Sequence, residues 1–158
     1  MEKALFCLPL LFFSVLGFSQ SKFISYEDIK LILRNNLQQV DTFLMAKGYT
    51  IKLKNDKTKN REYTLPVNGG AYVNLTIRVD GKKLFMELET NELQQYDLIN
   101  NSISQYLNKA GSSDFVQTYA IKDLCSIYIT VTDTTPYDPM KRDYDMQIIP
   151  DKNVSAYN

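Results

Sequence analysis

The stretch "AYVNLTIRVDGKKLFMELE", residues 71–89, is two runs of alternating apolar and polar residues hinged at Asp80-Gly81. Successive side chains of a strand point to opposite faces, so Val73, Leu75, Ile77 and Val79 fall on one face of the first run, and Leu84, Met86 and Leu88 on one face of the second. Asp-Gly favours the tight turn whose twist matches that of the flanking strands. With these two residues as the turn, Val79 is expected opposite Lys82, Ile77 opposite Leu84, Leu75 opposite Met86 and Val73 opposite Leu88. The other face then pairs Arg78 with Lys83, Thr76 with Phe85, Asn74 with Glu87 and Tyr72 with Glu89, a solvent-side pattern. One face of the hairpin is written for a core and the other for water.

The same alternation extends on either side. Upstream, "YTIKLK" (49–54) puts Tyr49, Ile51 and Leu53 inward, and "REYTLP" (61–66) returns Tyr63 and Leu65 before Pro66 ends the ladder. Downstream, "FVQTYAI" (115–121), "CSIYITVT" (125–132) and "DYDMQII" (143–149) read as three more strands, with Cys125, Ile127, Ile129 and Val131, then Tyr144, Met146 and Ile148, on the apolar side.

Two helical patterns interrupt the strands. Ser25 followed by Asp28 is a capping box, in which hydroxyl and carboxylate satisfy free backbone donors. Ile29, Leu33, Leu37, Val40 and Leu44 then recur at helical spacing, widened by Ile32 and Phe43, up to Gly48. A helix over 26–47 is expected. A second begins at Thr90 or Asn91, runs along Leu93, Tyr96, Ile99, Ile103, Tyr106 and Leu107, and ends at Gly111. Each has one polar face and so lies on the surface of a core.

The order is helix, four strands, helix, three strands. Hairpin-joined strands with so few helices predict an α+β two-layer sandwich, a largely antiparallel sheet of about seven strands with two amphipathic helices on one face. A doubly wound parallel sheet is excluded, because its helices and strands would alternate one for one. A faint echo links "FLMAKGYTI" (43–51) to "YLNKAGSSDFV" (106–116) at the two helix exits.

At the amino terminus, Lys3 precedes an apolar run from Ala4 to Phe18 that contains Pro9 and ends in small or polar residues. It is shorter than the ~20 apolar residues of a membrane-spanning helix. It reads as a signal peptide, residues 1–19, cut after Ser19 because Gly17 and Ser19 place small side chains where the peptidase reads. The expected product is a single exported domain over 20–158, periplasmic or extracellular, with no membrane span. Removal of Cys7 would leave Cys125 without an internal disulfide partner. Its place in an alternating strand marks it as a buried thiol.

Eighteen basic and eighteen acidic residues balance, giving no long-range pull toward nucleic acid. The chain has no histidine, which removes the commonest general base and metal ligand and every nucleophile pair that uses one. No phosphate-binding glycine loop is present, since Gly69-Gly70 precedes a strand and not a helix. No cofactor is expected. Carboxylate pairs can hydrolyse glycosides without histidine, and Glu87 and Glu89 lie on one face of a strand, but as solvent-side groups they are expected to keep an ordinary pKa.

The segment "TDTTPYDPMKRDYD", 132–145, carries Asp133, Asp138, Asp143 and Asp145 but has neither the alternation nor the bend glycine and closing glutamate of a calcium loop, and Lys141-Arg142 repels a cation. Pro136 and Pro139 stiffen it and lower the entropy lost on docking. It reads as a contact loop in which Tyr137, Arg142 and Tyr144 would grip a partner. Tyr72, Phe85 and Tyr128 fall on the face opposite the apolar pairs, where they would form an aromatic patch. The sequence thus points to a non-enzymatic protein-binding domain, of inhibitor, immunity or envelope-accessory type. A carboxylate-dependent glycan hydrolase and a carrier of small apolar ligands are the alternatives.

Overall fold

A computed structural model describes residues 21–134 and 141–156. The expected leader, and the loop residues Pro136, Tyr137, Asp138 and Pro139, lie outside them. In chain order the elements are α1 (Tyr26–Arg34), α2 (Leu37–Ala46), β1 (Thr50–Asn55), β2 (Asn60–Pro66), β3 (Tyr72–Asp80), β4 (Lys83–Thr90), α3 (Leu93–Ile103), β5 (Val116–Ile121), β6 (Cys125–Asp133) and β7 (Arg142–Pro150). The strands form one antiparallel sheet in the order β1-β2-β3-β4-β7-β6-β5. The α+β two-layer architecture is therefore the one expected, built on the hairpin of residues 71–89.

The register of that hairpin differs from expectation by two residues. Asp80 pairs with Lys83, Val79 with Leu84, Ile77 with Met86, Leu75 with Leu88 and Val73 with Thr90. The turn residues are Gly81 and Lys82, with Gly81 at φ 58°. Glycine in the first turn position is the alternative tight hairpin turn, which needs positive φ there and leaves Lys82 unstrained. A shift of two leaves every side chain on its own face and changes only its cross-strand partner. Val73, Leu75, Ile77, Leu84 and Leu88 are accordingly fully buried. Each contributes about 2 kcal/mol by leaving water.

The first helix is broken where the apolar stripe runs through. Asn35 and Asn36 take extended backbone, and Asn36 starts α2 with its own capping box, its side chain accepting from the Gln39 N–H while the Gln39 side chain accepts from the Asn36 N–H. The step from Leu33 to Leu37 has helical spacing, yet the asparagine side chain competes for the backbone donors and wins. The second helix is shorter than its stripe and starts later. Glu92 caps it, because Thr90 and Asn91 are engaged by β3 and the turn before it. After Ile103 the chain continues as 3-10 turns at Ser104–Tyr106 and Lys109–Gly111, leaving Leu93 and Leu107 exposed.

All three helices lie on one side of the sheet. Tyr63 of β2 donates its hydroxyl to Asp41 of α2, the Tyr96 ring of α3 stacks 4.2 Å from that of Tyr144 in β7, and Tyr119 of β5 bonds Asn100 of α3 at 2.7 Å. Ile29, Ile32 and Leu33 of α1 join the same core cluster. Buried Gln95 of α3 bonds both the N–H and the C=O of Ile24, each at 2.8 Å, and so ties the segment entering α1 to α3 as a strand partner would.

β4 and β7, the last strands of the two meanders, pair near the centre of the sheet, so the order helix-then-meander occurs twice along the chain. The edge β5 is partly covered by Leu107, which bridges Tyr119 in the place that β1 occupies beside β2. This is where the echoed helix-exit motifs lie.

β1 carries a bulge between Ile51 and Leu53: Ile51 faces Tyr63, Leu53 faces Glu62, and Lys52 is the extra residue. The extra residue reverses the alternation beyond it. Leu53, expected inward, turns to the open face and is exposed.

Candidate functional site: the open face of the sheet

With the helices on one side, the other face of the sheet carries no second layer among the described residues. Its side chains form cross-strand rows set by the pairing. One row runs Glu62, Thr76, Glu87, Gln147, Tyr128, Thr118. The next runs Thr64, Asn74, Glu89, Asp145, Thr130, Val116. A hollow of 460 Å³ opens here, lined by Lys52, Asn60, Glu62, Asn74, Thr76, Arg78, Glu87 and Glu89 with the edge of Tyr63. A neighbouring one of 350 Å³ lies between Arg78, Asp80 and Phe85.

Carboxylates concentrate at the centre. Glu89 stands directly opposite Asp145 across the β4–β7 pair, a distance at which cross-strand side chains interact. Partial burial lifts the Glu89 carboxyl above its ordinary range, and Glu87, Asp145 and Asp143 lift it further. Asp145 is also raised by burial, against a weaker lowering by its bond from Gln147. Its Oδ1 is fully covered and has no hydrogen-bond partner among the described residues. No lysine or arginine of the described residues pairs with Glu87, Glu89 or Asp145. The ordinary solvent-side pKa expected for Glu89 is thus corrected: desolvation, followed by the like charges of Glu87, Asp145 and Asp143, raises it. Among the described residues no set of acidic or thiol groups is arranged to hold a metal ion.

Tyr72, Phe85 and Tyr128 are on this face and half-buried, as their positions required, but they do not form one patch. Tyr72 lies at the acidic end, where its hydroxyl donates to Asp143 at 2.9 Å and burial, followed by that bond, pushes its pKa up to about 12. Phe85 sits at the far end opposite Arg78, beside the exposed Ile149 of β7. Three rows separate Tyr72 from Phe85, roughly 20 Å along the strands. Tyr128 stands between, two strands from Phe85.

The residues of the 132–145 segment are likewise parted. Tyr137 is outside the described residues. Tyr144 points to the helix side, buried against Tyr96, so it belongs to the core and cannot share a surface with Tyr72. Arg142 is exposed at the end of the sheet and donates from Nε to Asp133 at 2.9 Å.

The chain matches no family model, no curated protein and no solved structure. What the open face can do is therefore read from its chemistry. It offers a broad polar floor, a facing carboxylate pair with raised pKa at its centre, and apolar contacts at Phe85, Ile149 and Leu53 toward its margins. Sequence reasoning missed the Glu89–Asp145 pairing, since the two come from different hairpins. The signal was available only as two acidic solvent-side positions, one on each of two strands.

Proposed function

We propose that the protein is an exported, non-enzymatic binding domain that holds another protein on the open face of its sheet. The observation that carries this reading is the one-sided helix layer, which leaves the opposite face of the sheet without a covering layer among the described residues, save at β5, where the turn at Gly111 covers Thr118. Half-buried Phe85 and Tyr128 supply anchors, and Lys52, Glu62, Arg78 and Glu87 supply a charged surround, the mixture that protein interfaces use. Both main hollows open onto this polar face, which favours a protein over a small apolar ligand. Export rests on the amino-terminal leader pattern alone.

The test is affinity capture from envelope extract, run in parallel with Phe85→Ser plus Tyr128→Ser and with Met45→Ser on α2, which is exposed on the helix side. A partner retained by the wild type and by the Met45 variant but released by the sheet variant supports the reading. Retention by all three would defeat it.

One observation favours a second reading, a carboxylate-dependent hydrolase of glycans. Raised carboxyls at Glu89 and Asp145 are the kind of groups an acid-base pair needs. Turnover of a cell-wall polysaccharide, abolished by both Glu89→Gln and Asp145→Asn, would select it over the binding domain.

A further inference from the structure

The hollow of 460 Å³ on the open face is floored by β3, and its charges follow a fixed order along that strand. Arg78 comes first and faces Phe85, not an acid, across the hairpin. Two residues along, Thr76 faces Glu62 of β2 on one side and Glu87 of β4 on the other. Two further, Asn74 faces Glu89 and accepts from the Lys52 ammonium at 3.3 Å. A step of two residues along a strand is about 7 Å, and the strands on either side of β3 are about 10 Å apart. The middle row is therefore a gap above a short threonine with a carboxylate on each flank.

The three rows differ in how far their charge is met. Lys52 brings a positive charge to the row of Asn74 and Glu89. The side chains of Arg78, Glu62 and Glu87 form no ion pair or hydrogen bond with any other described residue. Glu87 is half-buried, so its charge is less well screened by water than that of a fully exposed acid. One row thus offers an unmet cation and the next an unmet pair of anions, a pattern that a ligand with the opposite order completes.

From this order we infer that the segment docking here is an extended peptide with an acid and a base two residues apart. The acid meets the Arg78 guanidinium, which matches a carboxylate fork to fork. The base, lysine or arginine, enters above Thr76 between Glu62 and Glu87. An extended chain repeats its side chains on one face at the same step of about 7 Å as the rows beneath it, so both charges meet their rows without bending either chain. This docking mode rests on the open-face reading and adds to it the charge order of the partner's segment.

The test is an amide NMR titration of residues 20–158 with three capped pentapeptides. The first, Thr-Glu-Thr-Lys-Thr, carries the matching order. The second, Thr-Glu-Lys-Thr-Thr, has the same composition with its charges on opposite faces, and the third, Thr-Lys-Thr-Lys-Thr, replaces the acid by a base. Saturable shifts at Thr76, Arg78 and Glu87 are expected with the first peptide, and binding weaker by roughly fivefold or more with the other two, the upper worth of an exposed ion pair. Arg78→Gln and Glu87→Gln should each weaken the first peptide by about the same factor, while Lys57→Gln, a control at the β1–β2 tip, leaves it unchanged. Arg78→Glu should move the preference to the third peptide. No saturation with the first peptide, equal binding of all three, or no change of preference in Arg78→Glu would overturn the charge order. Failure of the open-face reading is a separate result, seen as capture that ignores the Phe85 and Tyr128 substitutions.

Discussion

Arg61 is a charged residue in the core, and its burial has a specific cause. Its Nε reaches Asp41 at 3.4 Å, one terminal nitrogen reaches Asp56 at 2.7 Å, and the other takes the Asn55 and Asn60 carbonyls at 3.2 and 3.1 Å. Asp41 in turn accepts from Tyr63, whose own ionisation is pushed far up by burial and by that bond. The set locks α2 to the base of the β1–β2 hairpin. Removing one partner of a buried pair strands the other, so Asp41→Ala is expected to lower unfolding free energy by about 3 kcal/mol. Tyr63→Phe should cost about 1 kcal/mol, both measured by urea denaturation. Nothing in "NREYTLP" announces this role, because alternation alone marks Arg61 as an inward position with no hint of what would neutralise it.

Glu89 and Asp145 make the pH dependence testable at the same scale. Their folded-state pKa values are raised, so between the ordinary carboxylate range and the raised values the native state binds more protons than the unfolded chain. Stability from these groups is therefore present in acid and lost as pH climbs through that window. Asp145→Asn should match the wild type in melting temperature near pH 3 (approximately the lower limit of the window) and exceed it at neutral pH. Equal melting temperatures throughout would show that the carboxylate carries no such burden. Cys125 is shifted in the same direction: burial, with Asp151 nearby, pushes its thiol up to about 12 and makes it inert.

Among the elements, two departures from simple periodicity matter. The apolar stripe of 26–47 is continuous, but its backbone is not, because Asn36 and Gln39 form a capping box inside it. Asn36→Ala deletes the cap of α2 and is expected to cost about 1 kcal/mol by thermal or chemical denaturation. In β1, the bulge at Lys52 puts Leu53 in water. Leu53→Ser should then stay within about 0.5 kcal/mol of the wild type, whereas Leu75→Ala, from a fully buried site on β3, should cost about 3 kcal/mol. A large loss at Leu53 would mean that the bulge is absent in solution. Bulges have no reliable composition: nothing in "YTIKLK" distinguishes a five-residue alternation from one with an inserted lysine.

For the molecule as a whole, the pairing predicts a gradient of protection. β3, β4 and β7 are bonded on both sides and β1 on only one, with its outer edge bearing Lys52 and Lys54 and no covering segment among the described residues. Charged edge residues discourage addition of another strand. Hydrogen exchange should be slowest at Leu75, Ile77, Leu88 and Met146 and fastest along β1, with β5 between them because Leu107 caps part of its edge. Protection of β1 equal to that of β4 would point to a partner strand lying on it.

By itself the sequence settled which residues alternate, where the two helical stripes begin, and that strands outnumber helices in hairpin-joined runs; these follow from local periodicity and turn chemistry, which neighbours along the chain express. The two-layer sandwich and the face that carries Tyr72, Phe85 and Tyr128 were legible for that reason, since a slip of two residues in the 71–89 hairpin leaves faces intact. Only the tertiary structure decided that β4 meets β7, that Glu89 therefore faces Asp145, and that Tyr144 belongs to the core against Tyr96. Those neighbours are far apart in sequence, and pairing between separate hairpins is governed by how whole apolar faces pack together, a quantity that no local spacing encodes.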